Sequence, residues 1–448
     1  MRKFFLLFVL FISLSILVTA CGQKQQNQTQ GSNNPSTTQV QNNTTPPTLP
    51  PQTSSNEIAK PIREETIRWV TAGIGDWEND SSWEDSASQT HRLPNEQDIV
   101  FVPKMIQGRT VSVQISDITA KTIKKLINEG DINGHRGEKN PTGSLEIKAT
   151  DAIINKGQIQ GEADPNGQGG SVRLSTPNFE NLGTVESGET NKIEAPGGNV
   201  TIEADVFVNK GDVRSARSEK GDGGSIQILA KRLTNHKRVT GARTDHEGSA
   251  GGSITLKATE YFSQYEGGRI TAGRSHETRE EAPPSTDKNK KKEPPKITYF
   301  GKGGSITIQA REVNIFDGRL TAGAGAPKGD ITVESSGELI VSGSKPTLDA
   351  YSIKLIAQRT ISLLGLKKEA LKSAAPEGVI GIMISTCDRI DMQNNKSNTV
   401  LVGTNGATIQ LSVPQASQRH VLLDSGVTLG KLSKPQAQLV APIQSCVQ

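Results

Sequence analysis

Aromatic side chains make up only 4% of the 448 residues, and four of the ten phenylalanines (Phe4, Phe5, Phe8 and Phe11) sit at the extreme N-terminus. Whatever core the rest of the chain buries must be aliphatic and thin, which suits strands with few residues pointing inward. Charge of one sign is not in excess: 51 Lys and Arg stand against 47 Asp and Glu, and Arg2 and Lys3 supply part of the surplus. A strongly basic nucleic-acid binder is therefore not expected. Only three cysteines are present, Cys21, Cys387 and Cys446, and no CxxC pair, HExxH metal motif or GxSxG nucleophile elbow occurs, so no metal or other cofactor is expected. His135 and His420 stand alone, as surface histidines do. Long apolar runs are missing too, apart from residues 4–18.

That run follows Arg2 and Lys3 and precedes the small residues leading to Cys21, the order of a secretory signal peptide over residues 1–20. It is short for a helix that must span a membrane with roughly 20 residues. Val18, Thr19, Ala20 and Cys21 resemble the lipobox of bacterial lipoproteins, which implies cleavage before Cys21 and a diacylglycerol on its thiol. Gly22 stands where an aspartate would resemble the inner-membrane retention signal, so the resemblance implies an outer-membrane address. Residues 21–62 are rich in Gln, Asn, Thr, Ser and Pro and cannot bury enough surface to offset their ordering entropy, so they read as a tether between lipid and folded chain. With Cys21 acylated, Cys387 and Cys446 are left in a compartment where disulfides persist, and their pairing is expected.

The stretch "GKGGSITIQA" at 301–310 has the look of a phosphate-cradling glycine loop, but it recurs. Aligned on Gly143, Gly170, Gly198, Gly224, Gly252, Gly304 and Gly329, the copies lie 27, 28, 26, 28, 52 and 25 residues apart. One unit is thus about 27 residues, and the interval of 52 holds an insertion. Apolar residues fall two and four positions after each glycine, as in Leu145 and Ile147 or Ile306 and Ile308, which marks a strand with one buried face. A small residue follows on the same side (Ala149, Thr176, Ala204, Ala230, Ala258, Ala310, Ser335), where the chain can turn a corner. Two more short strands fit in each unit, and three strands per coil at a fixed period describe a parallel β-solenoid. A phosphate loop opens a helix and would occur once, so the glycines read as corners, and Gly252 or Gly304 is expected to adopt a backbone that a β-carbon disfavours.

In a second register, Asn155, Asn181, Asn209 and Asn235 recur at one place in successive coils. Asparagine tolerates left-handed turn conformations and can bond along the stack. The four residues look like the asparagine ladder of right-handed parallel β-helices. The expected fold is all-β: a single-stranded right-handed parallel β-helix with an N-terminal cap and a disulfide-closed C-terminal region. The units resemble the haemagglutinin-type repeats of filamentous haemagglutinin and related secreted bacterial adhesins, on "GGSITIQA" and "GRLTAG" in particular. The resemblance covers roughly 140–345 and implies surface display and adhesion.

Residues 63–137 are read as the cap and first coils. Within them 68–103 hold all three tryptophans, Trp69, Trp77 and Trp83, which suit a cap over an open solenoid end better than a sugar-stacking platform. The repeats occupy 138–345, with an insertion at 275–300 that leaves one corner as a solvated loop. Residues 346–448 form the C-terminal end, with a short helix expected over 365–375. β-helices also carry polysaccharide lyases and hydrolases, whose acid and base work needs paired outward carboxylates. The column three positions after each glycine (Glu146, Arg173, Thr201, Gln227, Thr255, Thr307, Thr332) and the column five positions after it stack no two carboxylates on neighbouring coils. The motifs "VRSAR", "VTGAR" and "ITAGR" instead place Arg217, Arg243 and Arg274 at a shared position of three coils, where they would bind an anion bidentately. Neighbouring Glu219, Asp245 and Glu277 offer the alternative of a balanced, solvated corner. The expectation is a non-enzymatic, lipid-anchored surface β-helix, an adhesin or envelope component binding acidic polysaccharide or a host or neighbouring cell surface. The alternative is a polysaccharide lyase or hydrolase on the same fold.

Overall fold

The computed structural model describes residues 64–163, 167–190, 195–280, 296–395, 399–414, 417–425, 427–441 and 446. The expected signal peptide, the lipidation site Cys21, the tether and the middle of the insertion lie outside these residues. The compact unit runs Arg63–Gln448, and its parallel strands stack into a β-solenoid of about 11 turns.

In a representative coil, the strand Leu145–Asn155 bends where its register shifts between Lys148 and Ala152, and the short strand Gln158–Gln160 follows after a tight turn. The bend makes two faces of one strand, so each coil presents three. Leu145 lies opposite Val172, Val172 opposite Val200, Val200 opposite Ile226, and the series continues through Ile254, Ile306 and Ile331. The glycine-aligned copies of the sequence are thus the coils themselves. The strand Ile254–Gln264 pairs directly with Ile306–Ala310 and Glu312–Phe316, so the insertion leaves and returns within one coil. Its ends, His276–Glu280 and Lys296–Phe300, pair antiparallel with each other.

Alternation sends Ile, Leu and Val inward in layers, and burying each such side chain is worth roughly 1.5–3 kcal/mol. Phe179 and Phe207 meet on adjacent coils with ring centroids 5.2 Å apart. Small residues at the bend, such as Ala149, Ala258 and Ala310, leave no side chain to obstruct the change of direction.

Glycines close the cross-section where the third strand of one coil meets the first of another. Gly273 N donates to Gly252 O at 2.7 Å, Gly304 N to Gly273 O at 2.8 Å and Gly323 N to Gly304 O at 2.8 Å. The constraint on these glycines differs from the expected one. Neither Gly252 nor Gly304 has a positive φ. A β-carbon on Gly304 would fall on the carbonyl of Gly252, and one on Gly252 on that of Gly224, so the limit is space between coils. The amides of Gly252 and Gly304 are spent on this zip, which removes the donors a phosphate cradle would use.

The asparagines end their strands with side chains buried in the core, none at positive φ, so left-handed turns are not what selects them. Asn128 Nδ2 donates to Asn155 Oδ1 at 2.9 Å, Asn155 to Asn181 at 2.9 Å, Asn181 to Asn209 at 2.9 Å and Asn209 to Asn235 at 2.8 Å. Gln264 continues the column, after which Ile315, Val341 and Leu363 occupy it.

At the N-terminal end Trp69 and Trp83 are fully buried with centroids 4.9 Å apart, and Trp77 packs on Trp83 at 4.7 Å. Their burial removes a sugar-stacking role. Arg92 clamps this cap, donating to both oxygens of Asp98 at 2.6 and 2.7 Å and to Asp85 at 2.8 and 3.0 Å. At the other end the helix expected over 365–375 is not formed. Leu371–Pro376 is a strand that buries Leu371, Ser373 and Ala375 in alternation, because the solenoid offers a parallel neighbour at Leu348–Ala350. Cys387 and Cys446 form a disulfide, Cα atoms 5.4 Å apart. Among the described residues no helix is long and apolar enough to cross a membrane.

Candidate binding face

The second, 13-stranded sheet is built from each coil's third strand, mostly three residues long with a single inward side chain. In Thr184–Glu186, Asp212–Arg214, Arg238–Thr240, Arg269–Thr271 and Arg319–Thr321 the middle residue is buried and the outer two face solvent. Register pairing turns these outer residues into columns. One reads Asp131, Gln158, Thr184, Asp212, Arg238, Arg269, Arg319, Thr347. The other reads Asn133, Gln160, Glu186, Arg214, Thr240, Thr271, Thr321, Asp349.

Past these strands the chain turns the glycine corner and reaches Arg217, Arg243 and Arg274. Thr190 N donates to Arg217 O at 3.1 Å, Ser218 N to Arg243 O at 3.3 Å and Thr244 N to Arg274 O at 3.0 Å, so the three arginines are stacked. The corner is held from inside by buried hydroxyls: Ser187 Oγ donates to Gly198 O at 2.5 Å and Thr244 Oγ1 to Gly221 O at 2.6 Å.

All three arginines line one open hollow of about 690 Å³, floored by Thr240, Thr271 and Thr321. Each also faces a carboxylate. Arg217 pairs with Asp245 and lies 3.5 Å from Glu219, Arg243 is 3.6 Å from Asp245, and Arg274 is 3.2 Å from Glu277. The structure therefore brings together both the arginine strip and the acids that balance it. Asn155, Asn181, Asn209 and Asn235 are buried in the interior, away from this face.

The column Arg238, Arg269, Arg319 was missed in the sequence, although "RVT", "RIT" and "RLT" precede the corner motifs. All three side chains are exposed, and Arg238 and Arg269 border a second hollow of about 520 Å³ with Lys210 and Lys237. Arg238 binds Asp212 at 2.6 and 2.8 Å, which holds its own pKa above the usual value. Burial pushes the Asp212 carboxyl up, but bonds from Arg238 and Arg214 outweigh it and hold it below its ordinary range. Arg269 and Arg319 have no ion pair among the described residues.

Glu186 and Glu189 lie at one end of the larger hollow, beside Arg214. Burial, opposed by Arg214 and reinforced by Glu189 and Asp212, raises the Glu186 pKa. This carboxylate neighbourhood belongs to the third strand and the corner after it, away from the two first-strand columns that follow each glycine. Chemically the face offers bidentate donors for oxyanions, hydroxyls for sugars and one carboxyl biased toward its protonated form.

Compared with protein-family models, curated proteins and solved structures, the chain gives no match.

Proposed function

We propose that this chain is a non-catalytic binding solenoid of the bacterial cell envelope, lipid-anchored through Cys21 and displayed on the outer membrane as an adhesin or envelope structural component. Its partner is an acidic polysaccharide, presented by a host or neighbouring cell surface, and nucleic acid is not a partner. The observation that carries the reading is a long, open face on which arginines recur in register beside threonines, over shallow hollows with no enclosing wall. Such a face suits an extended polymer better than a small molecule, which would need a deep apolar pocket. Likeness of the repeats to haemagglutinin-type adhesins, and of residues 18–21 to a lipobox, supports the same reading. The test is incubation of the purified protein with acidic glycans. Retention that falls with salt, without release of shorter chains, is expected. A protein retained on no acidic glycan would refute the reading.

Polysaccharide cleavage is a second reading, favoured by Glu186 and Glu189 in the same hollow as the arginines. A carboxyl whose pKa is pushed up by burial is better suited than an ordinary one to donate to a leaving group. Reducing-end release by the purified protein, abolished in Glu186→Gln, would select it.

A further inference from the structure

We infer that the anion-reading element of this face is the column Arg238, Arg269, Arg319 with Thr240, Thr271 and Thr321 beside it, and that it takes an acidic polysaccharide charged on every sugar, laid along the solenoid axis. The inference rests on the binding reading above and names its ligand class.

Three observations support it. Arg238, Arg269 and Arg319 are direct register partners on consecutive coils, so their cationic groups recur at the inter-strand step of about 4.8 Å. The insertion does not interrupt them, since it leaves after Thr271 and the next coil still pairs in register. The charge is also less compensated here than at the corner. Only Arg238 has a carboxylate, Asp212, and it shares that group with Arg214, whereas Arg217, Arg243 and Arg274 each face an acid. Other acids nearby are engaged elsewhere: Glu266 holds Lys345 at 2.5 Å, and Asp317 accepts from the Lys345 amide at 2.6 Å. Finally, the adjacent column over the same coils is all threonine. Its short hydroxyls leave a flat polar floor on which sugar rings can lie while the long guanidinium groups reach over them.

Stacked like charges repel, and elsewhere the column avoids this with Asp131, Gln158, Thr184 and Thr347. Repulsion confined to three coils is relieved by a ligand with matching negative spacing. A pyranose chain advances close to one strand step per sugar, so a polymer charged on every sugar offers an anion at each step of the column. One charged on alternate sugars leaves every second arginine unmet. Each guanidinium then holds a carboxylate or sulfate bidentately, which a lysine cannot do.

The experiment measures binding of the purified full-length protein to polygalacturonate, charged on every sugar, to hyaluronan, charged on alternate sugars, and to single-stranded DNA at one salt concentration. Polygalacturonate is expected to bind at least about tenfold more tightly than the other two. The pair Arg269→Ser and Arg319→Ser should lose about tenfold or more of that affinity, and Arg243→Ser with Arg274→Ser less than about threefold. The polymer comparison uses unaltered protein and so stands even if a variant fails to fold. Equal binding of the two polysaccharides, equal binding of DNA, or a loss confined to the Arg243 and Arg274 pair would overturn the inference and leave acidic-polymer binding in place. No binding of any polyanion by the unaltered protein would overturn the binding reading itself.

Discussion

Replacing one asparagine of the ladder by leucine should cost different amounts at different rungs, because the rungs leave different groups unpaired. Asn155 donates to Asn181 Oδ1 at 2.9 Å and to Thr184 O at 3.0 Å, and accepts from Asn128 Nδ2 at 2.9 Å. Asn155→Leu strips Asn181 Oδ1 of its donor and Asn128 Nδ2 of one acceptor, while Asn128 keeps Gln158 O at 3.1 Å. Asn235 is the last asparagine and donates only to Lys237 O at 3.1 Å. Asn235→Leu costs Asn209 Nδ2 one acceptor and leaves it Arg238 O at 3.3 Å, while Lys237 O keeps the Arg269 amide at 2.8 Å. The difference is one orphaned buried acceptor, about 1–3 kcal/mol. We expect Asn155→Leu to destabilise by about 2–4 kcal/mol and Asn235→Leu by about 1 kcal/mol, read as shifts of the urea midpoint by circular dichroism. Replacing Asn128, Asn155, Asn181, Asn209 and Asn235 together should cost less than the sum of single changes, since donors and acceptors leave as sets. The chain already runs this column with Ile315, Val341 and Leu363. Equal midpoints for Asn155→Leu and Asn235→Leu would refute the hydrogen-bond account.

Gly304→Val should destabilise by more than about 3 kcal/mol, because its β-carbon meets the Gly252 carbonyl, while half-buried Thr307→Val should shift stability by about 0.5 kcal/mol or less; equal melting temperatures would contradict the close approach. Burial pushes the Asp98 carboxyl up, but bonds from Arg92, the Asn95 amide and Thr66 prevail and hold it below its ordinary range. A depressed acid stabilises above the ordinary carboxylate pKa of about 4 and loses that contribution as pH falls through the folded value. Asp98→Asn should thus loosen the cap at neutral pH and differ little from the parent in strong acid, followed by fluorescence of Trp69, Trp77 and Trp83; a gap that persists in acid would contradict the linkage. The disulfide closes a loop with sequence separation 59, and Cys387→Ala should cost roughly 4 kcal/mol on the chain-entropy account, with earlier proteolysis of the C-terminal tail as the readout. Cys21→Ala should block lipidation and signal-peptidase II processing, and a variant still recovered with membranes in mature form would remove the anchoring proposal.

The coil period and register were legible because each first strand from Leu145–Asn155 to Thr408–Ser412 is five residues or more, long enough for alternation to show which side chains point inward. Leu145 and Ile147 or Ile306 and Ile308 state their face without help from the rest of the chain. The third strands were not legible in the same way. "RVT" and "RIT" have one inward residue each, too few to reveal a period, so the outward partners Arg238 and Arg269 emerged only from pairing. Residues 365–375 failed for a related reason. Lys367, Glu369, Leu371 and Lys372 favour helix locally, and only a waiting parallel edge converts Leu371–Pro376 into strand. Gly252 and Gly304 were legible as corners but not for the operative cause. Spacing in a sequence does not say whether a residue is small for its own torsion or for a neighbour's carbonyl.

The same packing decides where recognition can occur. Aliphatic layers fill the cross-section, asparagines occupy one column of its interior, and the glycine zip brings backbone against backbone at the closing corner. Among the described residues the interior of a repeating coil is thus filled, so the proposed selectivity would be written in outward columns, one residue per turn. A column can encode charge, hydroxyl or bulk at a fixed step set by the hydrogen-bonded strands, and its length is the number of coils that keep the residue. Arg238, Arg269 and Arg319 keep arginine for three turns, bounded by Asp212 and Thr347. On the proposed reading, a polymer longer than this tract would gain little from further sugars in register, and one whose charges fall out of step would lose contacts. Charge spacing along the polymer, more than total charge, is therefore the quantity that the proposed face would discriminate.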